Sequence, residues 1–222
     1  MTIKVMLALG LIMTPLFASA ALDTQNKKYS YALGVSIARQ LDSQGMSDIE
    51  LPVFLQAVED VLSGKDSQLS VQQMSQALMA QRAIQAEKKK ARSAKSIEEG
   101  KAFLAANKAK PGVQTLASGL QYRVEKNGTG DSPKAGERVK VHYHGTLPDG
   151  TEFDSSVTRG APAEFSVDGV IKGFSEALML MKPGAKWRVF VPSELGYGAR
   201  GAGGKIGPNQ VLIFDLELIE VL

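Results

Sequence analysis

The stretch RVKVHYHGTL, residues 138–147, decides the fold class of the C-terminal half of the chain. Its apolar residues Val139, Val141 and Tyr143 occupy every second position, and its two histidines fall on the opposite face. A period of two is typical of a β-strand that turns one face toward a core and the other toward solvent. This stretch therefore predicts a half-buried strand with Tyr143 on its inner face.

Working outward from this strand, the same alternation recurs in residues 120–124, 187–191 and 211–219. Between them, residues 173–181 place apolar side chains at i, i+4 and i+7, the spacing of one helix face. Several strands with one short helix covering one sheet face make an α+β architecture. We assign this predicted domain to residues 113–222.

A turn is predicted directly after the strand over 120–124. Asn127-Gly128 is a dipeptide that favours tight hairpin turns. With Thr129 it also matches a glycosylation sequon, but the turn interpretation is preferred.

Ahead of this domain the composition favours helices. Apolar residues recur at every fourth position from 29 to 41, and Gly45 is placed to end this first helix. A second helix is predicted from about Pro52 to Gly64.

The third predicted helix is long. It begins with a capping box at Ser70 and Gln73, and no proline interrupts it before Pro111. Its middle, residues 85–95, is almost wholly charged or small, and a helix that is polar on all sides does not pack into a core. Residues 81–112 are therefore interpreted as a solvated stalk and linker.

The helical segment over residues 21–80 is too small to bury much apolar surface by itself, since about 60 residues is marginal for an independent domain. We expect a homodimer formed through these residues. The alternative is that the helices fold back on the C-terminal domain, and the polar stalk counts against it.

Bulk properties exclude several classes of protein. The 222 residues contain no cysteine, which excludes disulfides, thiolate metal sites and a lipoprotein anchor. The net charge of +3 is small, and the basic cluster over 88–95 has no interleaved aromatic residues, so no nucleic-acid partner is expected. Residues 1–20 carry one lysine, a short apolar run and an A-x-A ending, which predict a signal peptide rather than a membrane anchor.

Most enzyme templates fail on this sequence. Its two histidines lie on the polar face of one strand, without ligands to complete a metal site, and no cofactor is expected. Residues 196–201 read as G-x-G-x-x-G, but the glycine-rich continuation over 202–208 cannot form the helix that a dinucleotide site requires.

Five sequence blocks carry a specific resemblance. In order and spacing they resemble the domain of FKBP-type peptidyl-prolyl cis–trans isomerases, and the export signal and helical segment resemble the Mip (macrophage infectivity potentiator) group. The blocks are VHYHG (141–145), DGTEFDSS (149–156), VIKGF (170–174), LGYG (195–198) and LIFDLEL (212–218).

The resemblance implies a V-shaped homodimer exported to the periplasm or surface of a Gram-negative bacterium. It also implies proline-containing peptides and unfolded proteins as partners, and macrolide inhibitors as ligands. Phe174 stands where tryptophan is usual, and Ala163 and Ala202 stand where larger side chains occur in some members. We expect this shallower rim to weaken macrolide binding more than catalysis. The implied catalytic residues are Tyr143, Asp154, Ile171 and Tyr197, and the implied substrate-binding residues are Phe153, Arg159, Val170, Phe174, Ile206 and Phe214.

The apolar pocket that the resemblance implies suits the chemistry of prolyl isomerisation. Rotation about an Xaa-Pro bond breaks no bond, and its barrier of about 18–20 kcal/mol comes from amide resonance. An apolar pocket disfavours the planar, polarised amide and so favours the twisted one. The alternative is a dimeric chaperone or adhesion-type clamp, which grips client chains between two arms with little catalysis.

Overall fold

The computed structural model describes residues 21–43, 46 and 48–222. The predicted signal peptide over 1–20 and the predicted helix end at Gly45 lie outside these residues. The chain divides into two compact units, with the boundary between Ser47 and Asp48. Among the described residues, no helix combines the length and apolar character needed to cross a membrane.

Helix α1, Gln25–Ser43, belongs to the first unit. None of its residues is buried, and its apolar side chains Tyr29, Leu33 and Ile37 are all exposed. The predicted fourfold spacing places these three side chains on one helix face.

The second unit begins with two helices, α2 over Leu51–Leu62 and α3 over Val71–Lys108. The capping box at the start of α3 is confirmed, because Gln73 N–H donates to Ser70 Oγ and Ser70 N–H donates to Gln73 Oε1. This reciprocal pair satisfies two backbone donors that a helix start leaves open.

A seven-stranded antiparallel sheet follows, and together with the helices it confirms the α+β fold. The path across the sheet is β1-β2-β6-β7-β3-β4, with β5 paired to the remaining part of β3. Strands β3, β6 and β7 form the centre, where Tyr143 is paired with Leu216 and Trp187 with the same leucine from the other side. The strands are β1 Val113–Thr115, β2 Gln121–Lys126, β3 Arg138–Thr146, β4 Glu152–Ser155, β5 Ala163–Ser166, β6 Lys186–Val191 and β7 Leu212–Val221.

The core lies between the inner face of this sheet and the short helix α4, Lys172–Leu178. Helix α4 ends three residues before the predicted limit at 181, but Met181 is still fully buried in the core. Burying each large apolar side chain stabilises the fold by about 1.5–3 kcal/mol. The inner-face residues predicted by alternation are confirmed as buried: Val139, Val141, Tyr143, Leu212, Phe214, Leu216 and Leu218.

The three shortest strands, β1, β4 and β5, were not predicted from the sequence. Each has three or four residues, which is too short for an alternating pattern to be distinguished from a loop. They exist because longer strands supply their hydrogen-bonding edges, as β3 does for both β4 and β5.

The turn predicted at Asn127-Gly128 is wrong. Strand β2 pairs with β1 and β6 and not with β3, so no hairpin follows it. Gly128 is needed for a different reason: a Cβ atom there would lie 2.3 Å from the carbonyl oxygen of Lys182 and 2.4 Å from that of Pro183. The adjacent Thr129 N–H donates to Pro183 O, which holds the two backbones together.

The C-terminal turns of α3 correct the predicted stalk over 81–112. The helix is largely exposed from Glu87 to Arg92, as a stalk would be, but beyond this point it packs on the sheet. The Phe103 and Phe190 rings lie 6.0 Å apart, and Asn107 is fully buried with its amide donating to Gln121 Oε1. Gln121 in turn donates to Leu104 O, so the end of α3 is an integral part of the sheet domain.

Replacing Gly128 with alanine is expected to lower the free energy of unfolding by about 1–3 kcal/mol, because the surrounding backbone must move to admit the methyl group. Trp187 is the single tryptophan and is buried in the same sheet, so its fluorescence during urea unfolding provides the measurement. The control is Gly169→Ala, whose methyl would meet Ser166 Cβ at an ordinary 3.6 Å. A Gly128→Ala variant with an unchanged midpoint would contradict the close approach.

Candidate functional site

A cavity of about 580 Å³ opens on the inner side of the sheet, next to α4. Strands β3, β4, β5 and β7 and helix α4 each supply one aromatic ring, and the loops before α4 and after β6 supply the rim, which includes the ring of Tyr197. The lining residues are Tyr143, Phe153, Asp154, Phe165, Gly169, Val170, Ile171, Phe174, Tyr197, Ala202, Gly203, Lys205, Ile206 and Phe214.

The floor is built from aromatic rings that meet edge to face. Phe174, on the first turn of α4, lies with its ring centroid 5.2 Å from that of Phe214 and 5.9 Å from that of Tyr143. Phe153 contacts Phe214 at 5.5 Å in the same T-shaped manner. This geometry is the favoured one for aromatic pairs, so the floor is both apolar and rigid.

Gly145 makes room for two of these rings. A Cβ atom at this position would lie 2.6 Å from the ring of Phe153 and 3.0 Å from that of Phe214. The glycine in β3 is therefore required because the rings occupy the space that a side chain would fill.

One polar cluster interrupts the apolar wall. The Tyr143 hydroxyl donates to Asp154 Oδ2 at 2.5 Å, and Arg159 Nη2 donates to the Tyr143 hydroxyl at 2.7 Å. Arg159 Nη1 also forms an ion pair with Asp154 Oδ1, so both carboxylate oxygens are engaged. The carboxylate is thus held in one orientation at the edge of the cavity.

The same contacts set the protonation states. Burial raises the pKa of the Tyr143 hydroxyl, and its hydrogen bond to the Asp154 carboxylate adds to this, so Tyr143 is a neutral donor. Burial opposes ionisation of Asp154, but the hydrogen bonds from Tyr143 and Arg159 outweigh it and lower the pKa of the carboxyl. Asp154 is therefore ionised at neutral pH.

Ser156 holds the backbone of Tyr143 in place. Its buried hydroxyl accepts from Tyr143 N–H at 2.8 Å and lies 3.2 Å from Tyr143 O, to which Ser156 N–H also donates. Sequence reasoning gave Ser156 no role of its own, although it lies in the DGTEFDSS block at 149–156.

Two further polar groups, one backbone and one side-chain, belong to residues that line the cavity. Ile171 has an extended conformation and caps the N-terminus of α4, and its N–H donates to no acceptor in the part of the chain that the structure describes. Tyr197 lies at the far side of the rim with 40% of its surface exposed, whereas Ile206 is 8% exposed. An unpaired N–H and an accessible hydroxyl can both donate to carbonyl oxygens of a bound peptide.

The structure brings nine of the ten predicted site residues to this cavity wall. The tenth, Arg159, does not line the cavity but contacts two residues that do, Tyr143 and Asp154. Ala202 lines the rim as expected, whereas Ala163 is packed against the core beside the cavity. Phe165 and Lys205 also line it and were missed.

A signal for Phe165 existed in the alternation of the short strand β5, but four residues were too few to recognise. Lys205 lies in a glycine-rich loop without periodicity, so no local signal marks it.

The described residues contain no cluster of three metal-ligating side chains. The two histidines on the outer face of β3 have other partners: His142 contacts Ser156 Oγ at 3.1 Å and His144 lies 3.3 Å from Glu152.

Comparison with known proteins gives a consistent result. Residues 130–219 match the family model described as FKBP-type peptidyl-prolyl cis-trans isomerase, and residues 26–124 match the model of the domain amino terminal to it. The outer membrane protein MIP of Legionella longbeachae is 42% identical over 96% of this chain and 94% of its own length. Peptidyl-prolyl cis-trans isomerase Mip of Coxiella burnetii is 43% identical over 97% of this chain and 95% of its own length.

Among solved structures, FkpA from Escherichia coli matches with a TM-score of 0.63 at 36% identity. The match covers 90% of this chain and 97% of the FkpA chain, so it includes the helices as well as the sheet domain.

Replacing Tyr143 with phenylalanine is expected to raise the pKa of Asp154 toward its ordinary value, because one of the hydrogen bonds that lower it is lost. In the wild type, the stability contributed by this carboxylate is complete above the ordinary pKa and is lost as pH falls through the lowered one. An NMR titration of the Asp154 carboxyl carbon checks the shift. Tyr122→Phe is the control, since the Tyr122 hydroxyl donates to Gln114 instead. An identical titration in Tyr143→Phe would contradict the assigned cluster.

Proposed function

This chain belongs to the family of FKBP-type peptidyl-prolyl cis-trans isomerases, and we propose that it accelerates Xaa-Pro bond rotation in exported or unfolded proteins. The observation that carries the mechanism is a cavity floored by aromatic rings with one ionised carboxylate at its edge. Peptidyl-prolyl isomerisation needs such an environment more than it needs an acid or a base, because no covalent bond is broken.

The apolar floor supplies most of the effect. Water stabilises the planar amide through its polarised carbonyl, and the resonance that produces this polarity also creates the barrier of about 18–20 kcal/mol. When a proline ring packs on Phe174 between Phe153 and Phe214, the amide bond that precedes it would lose that hydration. The twisted amide is less polarised and therefore loses less hydration free energy than the planar amide. The barrier to rotation is consequently lower in the cavity than in water.

Three polar groups are proposed to act on the substrate backbone. The Ile171 N–H, which has no acceptor within the described residues, and the hydroxyl of the exposed Tyr197 would hold two carbonyl oxygens. The Asp154 carboxylate would accept a hydrogen bond near the twisted amide. Because Tyr143 and Arg159 fix the carboxylate, it needs no reorientation when the amide rotates.

The rim residues bear on inhibitor binding. Phe174 provides a smaller floor than the tryptophan usual in the family, and Ala202 leaves that side of the cavity open. Both changes remove apolar contact area from a large ligand while leaving the proline-sized floor intact. We infer that macrolides bind at this cavity with reduced affinity.

The N-terminal helices are proposed to join two copies of the chain. Tyr29, Leu33 and Ile37 expose 63%, 48% and 43% of their surface along α1, which is unusual for apolar side chains on one helix face. The family model of the amino-terminal domain covers the same residues. Export is supported by the predicted signal peptide and by a relative named as an outer membrane protein. The periplasm or the cell surface of a Gram-negative bacterium is the proposed location.

A second function is favoured by the same exposed helices. A dimer with two sheet domains could grip an unfolded client between them, as a chaperone or adhesion factor, and use the cavity chiefly for binding. Holding a chain longer also gives more opportunity for isomerisation, so the two functions are compatible.

The catalytic proposal is tested by the rate at which a short Xaa-Pro peptide relaxes from cis to trans with residues 21–222 of the protein. We expect acceleration that tacrolimus abolishes, and a folded protein without acceleration would overturn the proposal. Asp154→Ala should lower kcat/KM by roughly tenfold to a hundredfold, the usual range for a charged hydrogen bond. The control is Asp215→Ala, because Asp215 pairs with Arg188 on the outer face of the sheet.

The dimer and clamp proposals are tested with Leu33→Glu, which places a charge on the exposed apolar face of α1. Sedimentation velocity should show a dimer for the wild type and a monomer for Leu33→Glu, because a buried unpaired charge opposes association. Gln40→Glu adds the same charge at an exposed polar position and should leave the dimer intact. If the monomer keeps its peptide activity but loses its effect on refolding of whole proteins, the clamp is supported. Unchanged action on whole proteins would refute it.

A further inference from the structure

The loop between β6 and β7 carries one side of the cavity on a glycine-rich backbone. Tyr197, Ala202, Lys205 and Ile206 all line the cavity from this loop. Six glycines lie within 196–207, at positions 196, 198, 201, 203, 204 and 207. Glycine loses more conformational freedom on ordering than any other residue, so this loop needs support to stay in one conformation.

Backbone hydrogen bonds within the loop stabilise its tip, residues 201–206. Ala202 and Ile206 exchange backbone hydrogen bonds of 2.9 and 3.0 Å, which close a small turn. Gly201 has a φ of 69° and lies so close to this turn that a Cβ atom would be 2.3 Å from Ile206 O. These bonds fix the tip internally. Lys205 Nζ, which donates to Glu152 O at 3.4 Å, and the buried side chain of Ile206 join the tip to the sheet domain.

The base of the loop is attached separately, through Asn209 and helix α3. The Asn209 backbone N–H donates to Gly198 O at 2.8 Å, next to Tyr197. Its side-chain amide donates to Ser93 Oγ on α3 at 2.6 Å, across 116 positions of sequence. Asn209 has a φ of 55°, a left-handed conformation that asparagine tolerates better than most residues.

A neighbouring contact strengthens the same junction. Gly207 N–H donates to Gln210 Oε1 at 2.7 Å, and the Arg92 guanidinium lies close enough that a Cβ atom on Gly207 would be 3.4 Å from it. Helix α3 therefore meets the base of the loop with two successive residues.

We propose that Ser93 and Asn209 are positioning residues for the isomerase, through which α3 holds the glycine-rich loop in its binding conformation. This inference rests on the proposed function for its kinetic consequence, but its structural part stands on the contacts alone. When the Ser93–Asn209 bond is absent, the loop samples more conformations, and binding a peptide must order it again. The cost falls on binding, so KM should rise while kcat changes little.

The test compares four variants of the protein. Ser93→Ala removes the acceptor, and Asn209→Gly removes the amide while keeping a residue that adopts a φ of 55° without strain. Asn209→Asp is the rescue variant, since its carboxylate can accept from the Ser93 hydroxyl. The control is Ser96→Ala, one turn further along α3, whose hydroxyl makes no hydrogen bond within the described residues.

We expect Ser93→Ala and Asn209→Gly each to raise KM about threefold to tenfold, the range for one hydrogen bond, and their effects not to add. Hydrogen exchange at Ala202 and Ile206 should become faster in both variants, and exchange at Asn209 should become faster in Ser93→Ala. Trp187 fluorescence during urea unfolding should show an unchanged sheet domain. Asn209→Asp and Ser96→Ala should behave as the wild type.

Wild-type exchange at these three amides in Ser93→Ala would overturn the proposal. So would a fall in kcat with unchanged KM. If the wild type does not accelerate peptide isomerisation at all, the proposed function fails, but the exchange measurement still decides whether α3 holds the loop.

Discussion

The register of β3 is the constraint on which the cavity depends, because this strand contributes to the core and to the site with the same face. Tyr143 is 5% exposed, its ring packs against Phe174 and Phe214, and its hydroxyl reaches Asp154. A shift of one residue would replace Tyr143 with a histidine and turn the apolar residues outward. Pairing along the length of β7 and the hydrogen bonds of Ser156 hold this register.

Strands with a long alternating pattern of apolar residues could be predicted from the sequence. Short strands that form only by pairing with longer neighbours could not. The nine residues of β3 and ten of β7 alternate long enough to be recognised, and the capping box at Ser70 marks the start of α3. The strands β1, β4 and β5 exist only by virtue of longer partners. The turn predicted at Gly128 is wrong because the sequence does not distinguish a glycine in a turn from a glycine that lies against another backbone segment.

The site residues were identified through ordered sequence blocks rather than through periodicity. The blocks contain eight of the ten named residues, and the family resemblance that the blocks carry added Arg159 and Ile206. Nine of the ten line the cavity, and Arg159 contacts Tyr143 and Asp154. The blocks could not reveal the Ser93–Asn209 contact, since a serine in a polar helix and an asparagine in a loop carry no mark of their pairing. For the same reason the polar composition of α3 concealed that its last turns pack on the sheet through Phe103 and Asn107.

The cavity combines apolar aromatic walls with an ionised carboxylate, two features that conflict in a small space. A carboxylate beside aromatic rings would tend to take up a proton, but Arg159 and Tyr143 supply the charge and hydrogen bonds that keep Asp154 ionised at the edge. The rings lie on strands and on α4, where packing holds them rigid, while Tyr197 and Ile206 lie on a loop whose glycines permit its close turns. The same glycines make that loop costly to order. The backbone hydrogen bonds of the tip lie within the loop, so its base needs a partner outside the loop, and α3 is the element that this base contacts. The long helix therefore supports the wall of the site through the base of this loop, although it contributes no residue to the cavity lining.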